Sequence, residues 1–400
     1  MEILSSKERI LRTVAGQQVD RVPIFAPITW TPLSPEPAGD EWKASKNYQR
    51  LVEAARENCD FYAQLEIAER STFQGASSKY GMHGIPEGIF DRRFFLTPPE
   101  YVEYVETETV HGRQQNTYFV HTPQGMLRTI EAIQPGEDTV WEIEPLIKDT
   151  SDVEKLLSVP YRFDPSDMSD YFSQRVRLGD KGIAVCFVST PLVMVSRLTG
   201  FQRFLEWSLV ESKLIERMIT IVQERLAERL DFVLKRGAGP VIRFGGSEQA
   251  TPPMMSGKSF DRFILGFERP LWELVRQAGQ IVWVHCHGRI QTVIDKYIDS
   301  GVQLLDPVEP PPQGDIEIAK AKELARRGPM TLIGNIEWSD LEYCQPNEIE
   351  AKVKQAIWDG GKEYFILGSS AEVLSRPGDH LTENILRYIE AGQLYGKHSE

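Results

Sequence analysis

This 400-residue sequence predicts an α/β fold, a closed (β/α)8 TIM barrel with an inserted β-hairpin region, and three observations predict it. Through its second half, short β-branched runs alternate with amphipathic helical patterns, the mark of βαβ units and a parallel sheet. Two earlier runs of the same kind bring the strand candidates to eight, the number that closes a barrel. No GxGxxG follows any strand, which weakens the alternative of an open, doubly wound sheet.

The first two strand candidates are RVPIFAPI, 21–28, and DFYAQLEI, 60–67, with a helical pattern around 46–58 between them. Residues 100–146 break the rhythm. YVEYVETETVHGRQQNTYFVHTPQGMLRTIEAI alternates with period two and carries the turn signals HGRQ and TPQG, so it reads as β-hairpins inserted into the barrel, a lid or wall for the site. Six strands follow: GIAVCFVS ending at Ser189, PVIRFGG at Gly246, QIVWVHCHG at Gly288, VQLLDPVE at Glu309, MTLIGNIE at Glu337 and YFILGSS at Ser370. Helical segments, each polar on one side, lie near 201–236, 258–278, 289–299, 316–327, 346–360 and 379–392. PVEPPPQG, 307–314, is a rigid proline-rich loop just after a strand. With no internal repeat and no low-complexity linker, residues 1–400 read as one elaborated domain.

Hydrophobic residues at 41% and charged ones at 26% are those of a folded globular chain. A net charge of −13 without any Lys/Arg-rich run argues against nucleic acid or an anionic membrane as the main partner and leaves small molecules or another protein. The start, MEILSSKERILRTVAG, lacks a long apolar core and a small-residue cleavage site, and no stretch reaches the roughly 18 apolar residues of a membrane helix, so a cytoplasmic protein is expected. Cys59, Cys186, Cys286 and Cys344 fit neither a disulfide framework nor a CxxC knuckle, which makes reduced thiols the expectation. The oligomeric state is open, and a homodimer is allowed.

In such a barrel, reactive groups sit at the C-terminal ends of the strands. In QIVWVHCHG, strand alternation points His285 and His287 to one side and Cys286 to the other. Two imidazoles at that spacing can bind one transition metal, and imidazole suits zinc; equally, they can hydrogen-bond polar neighbours in the core, because a lone HxH fixes neither the metal nor its other ligands. Glu248, in FGGSEQATPP directly after the preceding strand, is the first candidate for a third ligand, its two glycines permitting close backbone approach; its alternative is a helix cap or a pairing with a basic residue. Glu309, Glu337 and Glu372, at or after other strand ends, compete for that role, and Glu309 and Glu337 are also candidate substrate contacts. Ser189, Asp306 and Asn335 face the same mouth, Ser189 as a substrate contact, Asp306 and Asn335 joining Glu248 as candidate catalytic groups. Trp30, Trp338, Phe244 and Tyr80 offer either an apolar wall or ordinary packing. His83, His111 and His121 read as solvated surface histidines.

SKERILRTVAGQQVDRVPIFAPI resembles the opening of the uroporphyrinogen decarboxylase superfamily, where a helix leads through an x-D-R-V-P turn into the first strand. FILGFERPLWELVRQAGQIVWVHCHG resembles that superfamily's approach to an H-x-C-G motif, and GNIEW and YFILGSSAEVLSRPGDHLTENILRYIE resemble its last two strands and closing helix. The resemblance implies a TIM barrel and one of two activities. True decarboxylases hold the substrate's carboxylates with arginines in an R-Q-A-G-R segment; here the segment is APITWTPLSPEPAGD, without arginine, so the guanidinium fork that such carboxylates require is missing. The corrinoid-dependent methyltransferase branch holds zinc with H-x-C and a cysteine after the last strand. His285 matches that histidine and His287 stands where the first cysteine would, while the last loop, GSSAEVL, has no cysteine. An imidazole and a carboxylate in place of thiolates make a harder Lewis acid, suited to oxygen or nitrogen ligands.

The resemblance therefore implies a zinc-dependent methyltransferase with the metal on His285, His287 and Glu248. It would move a methyl group between an O- or N-methylated small organic substrate and the cobalt of a corrinoid (cobalamin) carried by a separate corrinoid-binding protein, in either direction. Two alternatives stand beside it: a metal-free lyase acting on a smaller carboxylic acid, with Asp306 or Glu248 as acid/base group, and a barrel that binds a corrinoid or porphyrinoid without chemistry.

Overall fold

The computed structural model describes residues 3–30, 32, 41–65, 67, 96–133, 140–163 and 165–397. Seven parallel strands run in the order β1 (Tyr62–Gln64), β6 (Ile183–Ser189), β7 (Val241–Gly245), β8 (Ile281–His285), β9 (Leu304–Val308), β10 (Thr331–Ile336) and β11 (Phe365–Ser369). The segment around Ile24 and Phe25 joins the two edges of this sheet. Ile24 bridges Leu367 of β11 and Phe25 bridges Asp60, just before β1, both in parallel register. The eighth position of the barrel is thus filled, and the sheet closes, but RVPIFAPI forms isolated bridges and not the full strand expected over 21–28. Pro23 and Pro27 remove backbone donors from a longer ladder.

The inserted hairpins form a separate antiparallel sheet of β2 (Val102–Val110), β3 (Arg113–Thr122), β4 (Gly125–Ile133) and β5 (Val140–Glu144), in that order. Val120, Leu127 and Leu146 belong to the same buried core as Val153 and Leu156 of the following helix Thr150–Leu157, so the insertion shares the barrel's core. His111 lies in the β2–β3 turn, and exposed His121 pairs with Glu103 at 2.6 Å, both as surface histidines. His83 and Tyr80 lie outside the described residues.

Three other expectations need correction. The helical pattern over 201–236 is two helices, Phe201–Val210 and Ser212–Lys235, separated at Glu211, whose backbone (φ −121°, ψ 35°) leaves the helical region. The pattern over 258–278 is a short helix, Gly257–Phe260, a π-turn, Asp261–Leu265, and the helix Gly266–Gln277. β8 ends at His285, not at Gly288, where φ of +84° turns the chain away from the sheet. An additional helix, Pro191–Thr199, starts directly after β6 with Thr190 as its N-cap and Pro191 in its first turn.

Two cores follow from strand alternation. Side chains pointing outward from the sheet pack under the helices and include Cys186, Phe244, Val284 and Cys286. Those pointing inward fill the barrel: Phe25, Ile183, Val185, Val241, Trp283, Leu304, Ile333 and Ile366. Ile10 and Val14 of the helix Ser6–Val14 join this inner set, and the Lys7 N–H donates to the Asp180 carbonyl just before β6, so this helix stoppers the N-terminal end of the barrel. The stopper is tied down by charge. Buried Asp60 receives Arg9 at 2.6 Å, Arg21 at 2.6 Å and the Ile24 N–H at 3.0 Å, while Arg9 also reaches Asp20 at 2.7 Å. With the N-terminal end filled, the C-terminal ends of the strands are the place for the site. Among the described residues no helix is long and apolar enough to cross a membrane.

Candidate active site at the barrel mouth

Three neighbouring strand ends build the centre of the mouth. Gly245, His285 and Asp306 stand side by side in the registers of β7, β8 and β9. Gly245 matters for space, because a Cβ there would press on the Phe187 ring at 2.8 Å and sit 3.9 Å from the His285 ring. One step along, Gly246 (φ +113°) lies so close to Val193 that a Cβ would overlap it at 1.9 Å. Its left-handed backbone opens the short 3-10 turn Ser247–Ala250 that carries Glu248.

His285 and His287 lie with ring centroids 4.6 Å apart at an interplanar angle of 89°. A carboxylate faces the Nδ1 of each. Asp306 Oδ2 is 2.8 Å from His285 Nδ1, and Glu309 Oε1 is 3.0 Å from His287 Nδ1. A carboxylate only accepts, so Glu309 draws the Nδ1 proton of His287 and leaves its Nε2 lone pair free, the tautomer a metal-binding histidine uses; at His285 Nδ1 the Arg243 guanidinium, which only donates, stands at the same 2.8 Å as Asp306, and the two pull that ring's tautomer in opposite directions. Among the described residues neither Nε2 has a hydrogen-bond partner. Cys286 is fully buried on the other side of the sheet, where burial pushes its thiol up and out of the thiolate range.

The carboxylates are themselves held. Asp306 also accepts from Arg243 at 2.8 Å and from the Trp283 indole N–H. Burial pushes its carboxyl up, but the Arg243 guanidinium and His285 outweigh burial and hold it well below the usual range. With Arg243 and Trp283 both donating to it, Asp306 is an orienting anion and has no proton to exchange. Arg243 in turn stacks 4.8 Å over the Trp283 ring and 5.8 Å from that of Tyr62. Glu309 accepts the Gly288 N–H with its second oxygen, and the proline-rich loop folds back over it so tightly that a Cβ on Gly314 would lie 1.9 Å from the Glu309 carbonyl oxygen. For His287, burial favours the neutral ring, yet the hydrogen bond and charge of Glu309, with Asp306 and Glu248 further off, raise its pKa above the ordinary value.

Two further carboxyls complete the ring. Glu337, 4% exposed, accepts from Ser370 Oγ at 3.0 Å through Oε2, while Oε1 has no partner. Burial, followed by the charge of Glu309, pushes it up to about 7. Glu372 accepts from Tyr62 at 3.2 Å and from Thr29 at 3.0 Å. Glu248 Oε2 is buried without a partner, and its charge is felt at His287. Among the described residues no three His, Cys, Asp or Glu side chains are already gathered around one point as metal ligands. The donor set nevertheless suits zinc: two imidazoles with free Nε2 atoms, each backed by a carboxylate, and a buried, unpartnered Glu248 oxygen in reach of their field.

Ser189 is buried at the end of β6, and half-buried Asn335 lies on β10 with Gly368 of β11 opposite. Of the aromatic candidates, Trp30 packs on Phe61 at 4.8 Å, and Trp338 gives its backbone N–H to Ser370 at 2.9 Å. Phe244 is fully buried under the helices and is not a wall of the mouth, because it points to the opposite side of β7 from Arg243. Four residues of the site escape sequence reasoning: Arg243, Trp283, Tyr62 and Glu268. A lone arginine inside PVIRFGG is a signal that was there to be used. Glu268 is fully buried behind the 3-10 turn, receives Ser247 Oγ at 3.3 Å, and is held well above the usual carboxylate range by burial.

A model of the uroporphyrinogen decarboxylase (URO-D) family matches residues 135–393, well over half of the sequence. The chain belongs to the uroporphyrinogen decarboxylase family. Among solved structures, a methyltransferase from Methanosarcina mazei superimposes with a TM-score of 0.56 at 16% identity, covering 98% of this chain and 99% of that one. A B12-independent methionine synthase from Shewanella sp. W3-18-1, in complex with selenomethionine, gives a TM-score of 0.37 at 13% identity over 83% of this chain and 95% of that one. At such identities the first likeness speaks for the family's barrel fold alone, and the second carries no weight. No curated protein matches the sequence.

Proposed function

We propose that this family member is a zinc-dependent methyltransferase. In this reading it moves a methyl group between an O- or N-methylated small organic molecule and the cobalt of a corrinoid protein. The observation that carries the reading is the pair of imidazoles at the barrel mouth, each oriented through Nδ1 by its own carboxylate, with both Nε2 atoms free. A protein described as a methyltransferase shares the barrel fold over its full length.

When bound on His285 and His287, with Glu248 as the third protein ligand, zinc supplies a Lewis acid that lowers the basicity of the heteroatom losing the methyl group. Glu309 keeps His287 in the binding tautomer, Asp306 and Arg243 together fix the His285 ring through its Nδ1, and Arg243 keeps Asp306 ionised. Neither the decarboxylase nor the small-acid lyase reading fits these charges as well. The mouth presents carboxylates, and its one buried cation among the described residues, Arg243, is already engaged by Asp306.

The test uses protein purified without a histidine tag. Reconstitution is expected to load about one zinc per chain, whereas less than about half an equivalent defeats the metal role. His287→Ala is expected to abolish both zinc retention and methyl transfer to added cob(I)alamin, followed by the absorbance of methylcobalamin. Methyl transfer that survives H287A overturns the assignment of the ligand.

A further inference from the structure

We infer that the chain carries a second ligand site, at the N-terminal face of the barrel, and that its ligand is a phosphate monoester bearing a flat ring, the chemistry of a nucleoside monophosphate. The site is a groove of about 880 Å³ between the helices Ile318–Ala325 and Pro346–Gly360 and the turns that lead from them into β10 and β11. That volume falls within the roughly 300–1,000 Å³ of small-molecule pockets. Met330 and Tyr364 line the groove and stand just before their strands, so it opens at the opposite end of the sheet from His285 and His287. Nothing in it depends on the methyltransferase reading.

The cations of the groove point to an anion. Lys322 lies in it half-buried, with exposed Arg326 and Lys362 beside it. Lys322 Nζ gives two of its three N–H groups to backbone carbonyls, of Glu363 at 2.5 Å and of Tyr364 at 3.2 Å. Among the described residues none of the three cations has a carboxylate within ion-pairing distance. Two acids share the lining, but Asp359 accepts from the Gln355 amide at 2.9 Å and Glu363 is exposed. Burial brings the Lys322 pKa down to about 8, against the pull of Glu363 and with a further push from Arg326. A half-buried ammonium without a counter-ion is costly, and a bound anion relieves it. Four residues apart, Lys322 and Arg326 share one helix face, where a point charge and a guanidinium fork suit phosphate oxygens.

The backbone and the ring sharpen the ligand class. Tyr364 holds a left-handed backbone (φ +54°) without being glycine, and its carbonyl accepts both Lys322 and the Leu332 N–H at 3.1 Å. Such conformations gather where a ligand is held. Trp358 lines the same groove and is 83% exposed, which leaves its ring open to a planar group. A plain inorganic anion would ignore that ring, and a neutral ring would leave Lys322 without its counter-ion.

The full-length protein is titrated calorimetrically at pH 7 and low salt with AMP, with adenosine and with inorganic phosphate. AMP is expected to bind saturably and at least about tenfold more tightly than either of its parts. Trp358→Ala and Arg326→Ala, both at exposed positions that leave the fold intact, are each expected to weaken AMP about tenfold, and Lys322→Gln at least as much. No saturable AMP binding by the folded protein overturns the inference. AMP affinity unchanged by either Trp358→Ala or Arg326→Ala overturns it as well, because the ligand would then lie elsewhere. Adenosine that binds as tightly as AMP removes the role of the cations, and phosphate that does so removes the role of the ring; either result defeats the ligand class.

Discussion

At the scale of single residues, the site hangs on Arg243. Its guanidinium keeps Asp306 ionised, and Asp306 orients His285. Arg243→Met is expected to cost about 3–5 kcal/mol at pH 7, since removing one partner of a buried pair leaves the other charge unpaired. The pH dependence follows from the sign of the Asp306 shift. In the wild type, a carboxyl held below its ordinary 3.8 contributes stability above that value, lost only as pH falls through the lower folded value. In the variant, burial without the guanidinium raises Asp306, so protonation relieves it and the gap to wild type narrows as pH falls toward 4. Urea unfolding at pH 7 and pH 4 measures both numbers, and a gap that stays constant would show that the pair does not set the stability. The HxH pair was legible in the sequence because strand alternation alone separates His285 and His287 from Cys286. Their partners were not, because Asp306 and Glu309 reach the histidines across strand register, a relation that spacing along one strand does not contain.

At the scale of elements, the six later strands were legible because strands buried on both faces read as unbroken apolar runs, as in IVWV and FILG. The seam between the first and last strands was not, because it is made by a few bridges and by charge. Asp60 gathers two guanidiniums and a backbone N–H where the stopper helix, the 21–25 segment and β1 meet. Asp60→Ala is expected to destabilise the chain by about 3–5 kcal/mol, because it strands the buried Arg9 and the half-buried Arg21 together. Hydrogen exchange is expected to rise first in residues 4–25 and along β1. Unchanged exchange there, with a globally lowered stability, would mean that the seam is held by the apolar contacts of Ile10 and Val14 instead. The break at Glu211 was illegible for another reason: neither proline nor glycine marks it, and Ser212–Lys235 continues with the same amphipathic period.

At the scale of the whole molecule, the same negative sign recurs from the pocket to the surface. The chain carries 58 acidic against 45 basic residues, a net charge of −13, and the mouth repeats that imbalance among its own side chains. A field of one sign that converges on a cleft with low-dielectric walls concentrates ions of the opposite sign there and speeds their arrival. Screening removes this long-range part, since the Debye length falls from about 30 Å at 0.01 M salt to about 8 Å at 0.15 M. The rate at which added zinc loads the metal-free protein is therefore expected to fall several-fold across that range, because the ion carries the charge on which the field acts. Stopped-flow loading at the two ionic strengths checks this directly. A loading rate that is indifferent to salt would confine the attraction to the side chains at the site itself, which screening barely reaches, and would remove the molecular field from the account of how the metal finds the mouth.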